Sequence, residues 1–323
     1  MSSAAIPGAA TAFPLQRAPA RWALWGSFAV IYLVWGSTFL GIRVAVETLP
    51  PLSMAAVRFL VAGGILMAVS SRTIPRPTWR QWRNAAIVGA FFFLGNHGLI
   101  SNAARFIPSS LTSLIIATEV PIIAVLSSVL LPDQPLNRRS LIGAALGIAG
   151  VLCLFVGKGA DEGAIHVLAY AAVVGASLCW SFGAVLSQRL QFPPDAVLRA
   201  GMQMTCGGAL LCIASLLRGE PQAIELAAFS GRSLGALAYL IAFGSVLAFG
   251  CYSYLLKHVR VESVATHVFV NPLVAVAVGA WLGGEQLRPA HLVSGLFILA
   301  SVWVITLGPR RNPAVSARDA RQT

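Results

Sequence analysis

A single carboxylate inside a greasy run is the first feature of this chain that could do chemistry. Glu119 lies within Ala117-Thr118-Glu119-Val120-Pro121, about ten residues from either end of the apolar stretch 109–131. At a helical rise of about 1.5 Å per residue it stands roughly 15 Å from each end. That is the midplane of a bilayer about 30 Å thick, where an ionisable group is costly and is by default a functional hypothesis. An acid placed there takes up a proton or pairs with a cation, so it could couple proton movement or recognise an amine. The alternative is a neutral acid or ion-pair partner that locks two helices together. Pro121, two residues on, removes a backbone donor and loosens the helix beside the carboxylate.

Other residues of the right chemistry stand at comparable depths. Arg58 follows Pro51 by seven residues, about 10 Å below the outer surface if the segment is helical. Its fork could grip a carboxylate or pair with Glu119 or Glu47, and snorkelling to the interface is the plainer reading. Asn96 and His97 could hydrogen-bond a solute, or serve as interhelical glue, and His97 could shuttle protons. Asn271-Pro272 mirrors Val120-Pro121, and proline at two such places reads as two bent helices facing each other near the midplane. His267, one turn before Asn271, shares its face. Trp35 and Trp180 could form a stacking wall for an apolar or cationic solute, or sit as interface anchors. Gln203 and Tyr252 complete the candidate set.

These residues need helices to position them, and composition says which kind. Of the 323 residues, 57% are hydrophobic and 11% charged, with mean hydropathy +0.77. Soluble domains carry about 25% charged residues. Ten apolar segments, several of them near the length of a spanning helix, run roughly over 24–45, 51–71, 84–104, 109–131, 140–157, 164–188, 196–217, 233–256, 262–283 and 290–308. The first is too long for a cleaved leader and reads as an uncleaved helix. The net charge of +12 does not point to nucleic acid, because the basic residues fall in the short gaps between apolar runs. With the N-terminus inside, sixteen Lys and Arg lie in inner loops and tails and six in outer ones, Arg58 being the last of the 23. That bias puts both termini in the cytoplasm. The five cysteines lie inside apolar runs and read as small packing residues. No metal motif or cofactor signature is present, so neither is expected.

The chain also repeats itself. The runs from Pro121 to Gly157 and from Pro272 to Gly308 are equal in length and offset by 151. Each holds a proline, a polar turn (Asp133-Gln134-Pro135; Glu285-Gln286-Leu287) and a Gly-ended apolar helix. Val34-Trp35-Gly36-Ser37 likewise finds a partner in Cys179-Trp180-Ser181-Phe182. The expected organisation is a cytoplasmic tail over 1–23, a first five-helix half over 24–157, a connector over 158–163, a second half over 164–308 and a basic tail over 309–323. Both tails are expected to be disordered. Five is odd, so the halves are inverted relative to one another, the architecture of alternating-access transporters. The pairs Gly143/Gly147 and Gly279/Gly283 allow close helix approach, within one chain or between two, so a monomer and a homodimer both fit.

Ile31 to Gly63 (IYLVWGSTFLGIRVAVETLPPLSMAAVRFLVAG) resembles the opening two helices of EamA-type carriers of the drug/metabolite transporter superfamily, in particular the YedA-like bacterial inner-membrane subgroup. Ala117 to Pro121 and Phe269 to Leu287 are similar to that family's fourth and ninth helices. The resemblance implies an all-helical, ten-span inner-membrane protein with a central cavity lined by both halves and the fifth and tenth helices at the periphery. It implies secondary transport, as export, of an amino-acid-like metabolite or drug, with the proton as a candidate coupling ion and lipid as the surrounding partner. An intramembrane enzyme acting on a lipid-linked substrate is the first alternative, though it would need an acid, His or Ser cluster near one interface and often a larger loop domain. A passive channel is the second.

Overall fold

The computed structural model describes residues 20–70, 76–131, 138–156, 164–223, 225–259, 261–286 and 288–306. The expected tails and connector lie outside these residues, apart from 20–23, as does the turn Asp133-Gln134-Pro135. Among the described residues the fold is helical throughout, and the helices group along the chain into ten segments. They are α1 (Arg21–Ala45), α2 (Pro51–Ser70), α3 (Trp79–Ala103), α4 (Ser109–Leu130), α5 (Arg138–Val156), α6 (Ala164–Ser187), α7 (Ala196–Leu217), α8 (Gly231–His258), α9 (His267–Trp281) and α10 (Pro289–Thr306). Seven of them, α1 to α4 and α6 to α8, are long and apolar enough to cross a bilayer by length and composition. The helix α1 opens at Arg21, so residues 21–23 extend it rather than the tail.

Packing follows a two-fold exchange between the halves. Helix α1 lies on α8 and α9, and its counterpart α6 lies on α3 and α4. The strongest contacts join α2 to α7 and α5 to α10, each helix meeting its own repeat mate. Small residues bring these pairs together. A Cβ on Gly63 would stand 2.5 Å from Thr205 Oγ1 and 2.9 Å from the Gly201 carbonyl. Along α5, Gly143 and Gly150 press on α10, where Ser301 and Ser294 donate to their carbonyls at 2.5 and 2.6 Å. The Gly143/Gly147 pair therefore serves packing within the chain.

Three of the long segments are not regular helices. Helix α3 widens to a π-helix over Ala90–His97, and α8 does the same over Leu240–Leu247. Such widenings are uncommon and cluster at functional sites. Helix α4 breaks at Ala117-Thr118 and restarts at Glu119. In the second half a short helix, Val261–Val264, breaks at Ala265-Thr266 before α9 starts at His267. Both breaks use an Ala-Thr pair whose threonine turns back on the carbonyl three residues earlier, Thr118 to Ile115 at 2.6 Å and Thr266 to Ser263 at 2.5 Å. The proline then falls in the first turn of the restarted helix in α4 but deeper inside α9. The two kinks are thus related through Ala-Thr, and the structural mate of Glu119 is His267, not the residue beside Asn271.

Candidate functional site: a cavity between the halves

Eight helices, all but α5 and α10, enclose a cavity of about 500 Å³. Every candidate residue lines it: Trp35, Arg58, Asn96, His97, Glu119, Trp180, Gln203, Tyr252, His267 and Asn271. The π-helix in α3 explains part of this convergence. Its extra residue per turn carries Phe92, Phe93, Asn96 and His97 onto one wall.

Glu119 sits at the start of the restarted helix, where the helix dipole favours a carboxylate. Asn96 Nδ2 donates to its Oε1 at 3.2 Å and to the Ala176 carbonyl at 2.9 Å, tying α3 to α4 and α6. Helix α6 supplies hydroxyls to the carbonyls at the break, Ser177 to Ile115 and Ser181 to Glu119, each at 3.3 Å. Arg58 is buried, with its Cζ 4.7 Å from the centroid of the Phe59 ring and its Nε donating to Ser245 Oγ at 3.0 Å. It forms no ion pair with Glu119 or with Glu47, which faces Arg232 at 3.8 Å instead. The snorkelling alternative does not hold, because the guanidinium lies in the cavity wall. The side chain of His97 lies against Phe59 and stacks on Phe93, and its Nδ1 is buried with no partner among the described residues.

A further stretch of wall joins α8 and α9 of the second half to α1 of the first. His267 Nδ1 donates to the Val264 carbonyl at 2.8 Å. Asn271, with its amide nitrogen turned toward carbonyls, donates to Tyr32 and His267. Trp35 donates to the Gly244 carbonyl at 3.1 Å and meets Phe249, Tyr252 and His267 at 5.1–5.4 Å between centroids. Trp180 stacks on Phe92 at 4.1 Å. Both tryptophans therefore belong to the cavity, while exposed Trp22, Trp79 and Trp281 stand near helix ends. Phe92, Thr38, Ser253 and Arg199 also line the cavity and were not anticipated. The run Phe91-Phe92-Phe93 looks like plain hydrocarbon until the π-helix brings Phe92 and Phe93 to the cavity, and Arg199, counted with the inner basic residues, reaches the cavity from the first turn of α7.

The cavity is unlike at its two ends. Ser187, Ala196, Arg199 and Leu256 line it where α6 ends and α7 begins. Ile42, Ile100 and Ile116 line the other end, the first two fully buried. On the face beyond them, two carboxylates of the second half cap two helices of the first. Glu285 accepts from the Ser109 and Ser110 amides at 2.7 and 3.0 Å, from their hydroxyls at 2.8 and 2.6 Å, and from Arg43 at 2.5 Å. Burial pushes its carboxyl up, but the donations from Ser110 and Ser109 outweigh that and hold it below the usual 4.5. Glu220 accepts from the Leu52 and Ser53 amides at the start of α2. Each of these acids follows a left-handed glycine, Gly219 at φ 71° and Gly284 at φ 61°. Only glycine takes that turn without strain, and the turn points the carboxylate back across the interface.

Two matched halves around a shared cavity are an architecture found among membrane transporters. The chain belongs to the EamA-like transporter family, whose model matches residues 20–156 and 167–307. It is 35% identical over 296 residues to the inner membrane transporter YedA of Escherichia coli K12, an alignment covering 90% of this chain and 93% of YedA. It is 24% identical to the transporter YvbV of Bacillus subtilis, over 89% of this chain and 93% of that one. A Salmonella typhimurium protein named "Probable amino-acid metabolite efflux pump" is 26% identical over 89% of this chain and 96% of its own length. One solved crystal structure shares the fold, with a TM-score of 0.60 at 21% identity over 91% of this chain and 100% of that one. This is a multi-pass transport protein of the bacterial cytoplasmic membrane.

Proposed function

We propose that the protein is a secondary active exporter that moves a small amino-acid-like metabolite or drug by alternating access, with ten spans and both termini in the cytoplasm. The observation that carries this reading is one cavity, shared by both halves, that brings an arginine and a carboxylate to its walls without pairing them. Two opposite charges held apart in low dielectric suit a solute that bridges them, or a solute exchanged against a proton. The excess of basic residues makes the end near Ser187 and Arg199 cytoplasmic. The conformation is then inward-open, with Glu285 and Glu220 clamping the outer face. A closed outer end favours a carrier over a channel. The name of the Salmonella relative supports the choice of solute class.

In this mechanism Glu119 is the coupling group. A proton from outside neutralises it, and the carboxylate re-forms facing the cytoplasm as solute is taken up. Glu119→Gln should abolish solute movement driven by a pH gradient in reconstituted vesicles and leave folding intact, because the amide oxygen still accepts from Asn96. Normal gradient-driven transport by that variant would overturn the coupling role.

A further inference from the structure

We infer that Arg58 and His97 form a subsite for the carboxylate group of the transported solute, with Ser245 as the residue that aims the arginine. The inference rests on the transporter reading above and names one half of the ligand. Arg58 is only 4% exposed, and a buried cation without an anion is strongly unfavourable. Among the described residues no carboxylate lies within ion-pair distance of it, and its only hydrogen bond is the one from Nε to Ser245. The two terminal nitrogens of the fork are thus uncommitted, while one edge is pinned by Ser245 and one face by Phe59.

The setting is built around that guanidinium. Ser245 belongs to the π-helical turn of α8, and Gly244 before it leaves the needed room: a Cβ there would meet Thr38 Cγ2 at 2.9 Å and Arg58 Nη2 at 3.4 Å. His97, from the π-helical turn of α3, lines the same cavity with a buried ring nitrogen, Nδ1, that has no partner among the described residues. An orphaned buried polar atom calls for a ligand group. A planar fork beside a second polar nitrogen matches the two oxygens of a carboxylate, and Arg binds such groups bidentately where Lys does not. Glu119 stands apart with its own partner Asn96, so it does not compete for this end.

Thermal unfolding of the full-length chain in lipid nanodiscs tests the subsite, since any ligand of the folded state raises apparent stability. The probes are the twenty standard amino acids and short-chain mono- and dicarboxylates, each beside its carboxamide, with sodium chloride alone as a separate arm. At least one carboxylate should stabilise saturably, with its carboxamide weaker by roughly tenfold or more, as expected when an ionic bidentate contact is lost. Arg58→Lys should erase that preference. Ser245→Ala keeps the charge and frees Nε; it should weaken the carboxylate several-fold, leave the carboxamide unchanged, and be rescued by Ser245→Thr. Three results would each overturn the subsite: no carboxylate stabilises, carboxamides bind as well, or chloride alone gives the same shift. Vesicle assays separate this from the transporter reading. If Arg58→Lys moves a carboxylate solute with an unchanged KM while Glu119→Gln is inactive, the subsite falls and the transporter stands. If carboxylates bind but none crosses the membrane, the transporter reading falls instead.

Discussion

Asn96 is the residue on which the Glu119 side of the cavity depends. Its amide holds the carboxylate of one helix and the Ala176 carbonyl of another. Asn96→Leu would leave both acceptors without that donor in a low-dielectric wall, at a cost of about 1–3 kcal/mol. The expected result is a lower unfolding temperature in nanodiscs, with Glu119→Gln nearly silent in the same assay. Most of the site at this scale was legible from residue type and depth, since polar side chains in spans are costly and tend to face a cavity. The pairing of Glu119 was not. Arg58 and Glu47 were reasonable partners by charge, but an amide reached the acid first because the π-helix turned Asn96 toward it.

At the scale of helices, close approach and helix ends decide stability. Gly63 and Gly64 are adjacent in sequence and opposite in consequence. A Cβ on Gly63 meets the backbone of α7, which cannot move aside, so Gly63→Ala should destabilise by about 1–3 kcal/mol. A Cβ on Gly64 meets nothing within 4 Å, so Gly64→Ala should be neutral or stabilise by about 0.5–1 kcal/mol. Chemical unfolding of the two variants side by side checks the contrast. Gly284→Ala would force a side chain into the left-handed turn, costing about 1–2 kcal/mol and displacing Glu285 from the start of α4. The helices themselves were readable from apolar runs of spanning length. Their irregularities were not, because a π-widened turn and a regular one have the same composition. The Ala-Thr pairs at both breaks were visible in the sequence, but aligning the halves on their prolines hid them by three residues.

Across the whole molecule, the clamps at the isoleucine-lined end of the cavity tie the second half to the first, and Glu285 makes that tie pH-dependent. Its carboxyl is held below the usual 4.5, so its contribution is fully present above that value and is lost as pH falls through the lowered one. Stability should therefore be flat on this account between pH 8 and pH 5 and decline below 4.5. Glu285→Gln should remove that decline and lower the unfolding temperature at neutral pH. If the outer clamp also sets the resting conformation, the same variant should admit a membrane-impermeant thiol reagent from outside to a cysteine placed at Ile42 in a background freed of the native cysteines.

Hydropathy, the positions of basic residues and the repeat of prolines and tryptophans determined the membrane class, the helix order and the two-fold plan. Each of these follows from transfer free energy along one dimension, and a linear sequence displays it directly. Tertiary structure alone decided that Arg58 and Glu119 share a cavity without pairing, that His267 matches Glu119, and that Glu220 and Glu285 reach across to cap helices 167 and 175 residues away in sequence. Those facts depend on the phase of each helix about its own axis, which a break or a π-turn resets by a fraction of a turn. Composition does not record that rotation, and packing against the other half fixes it.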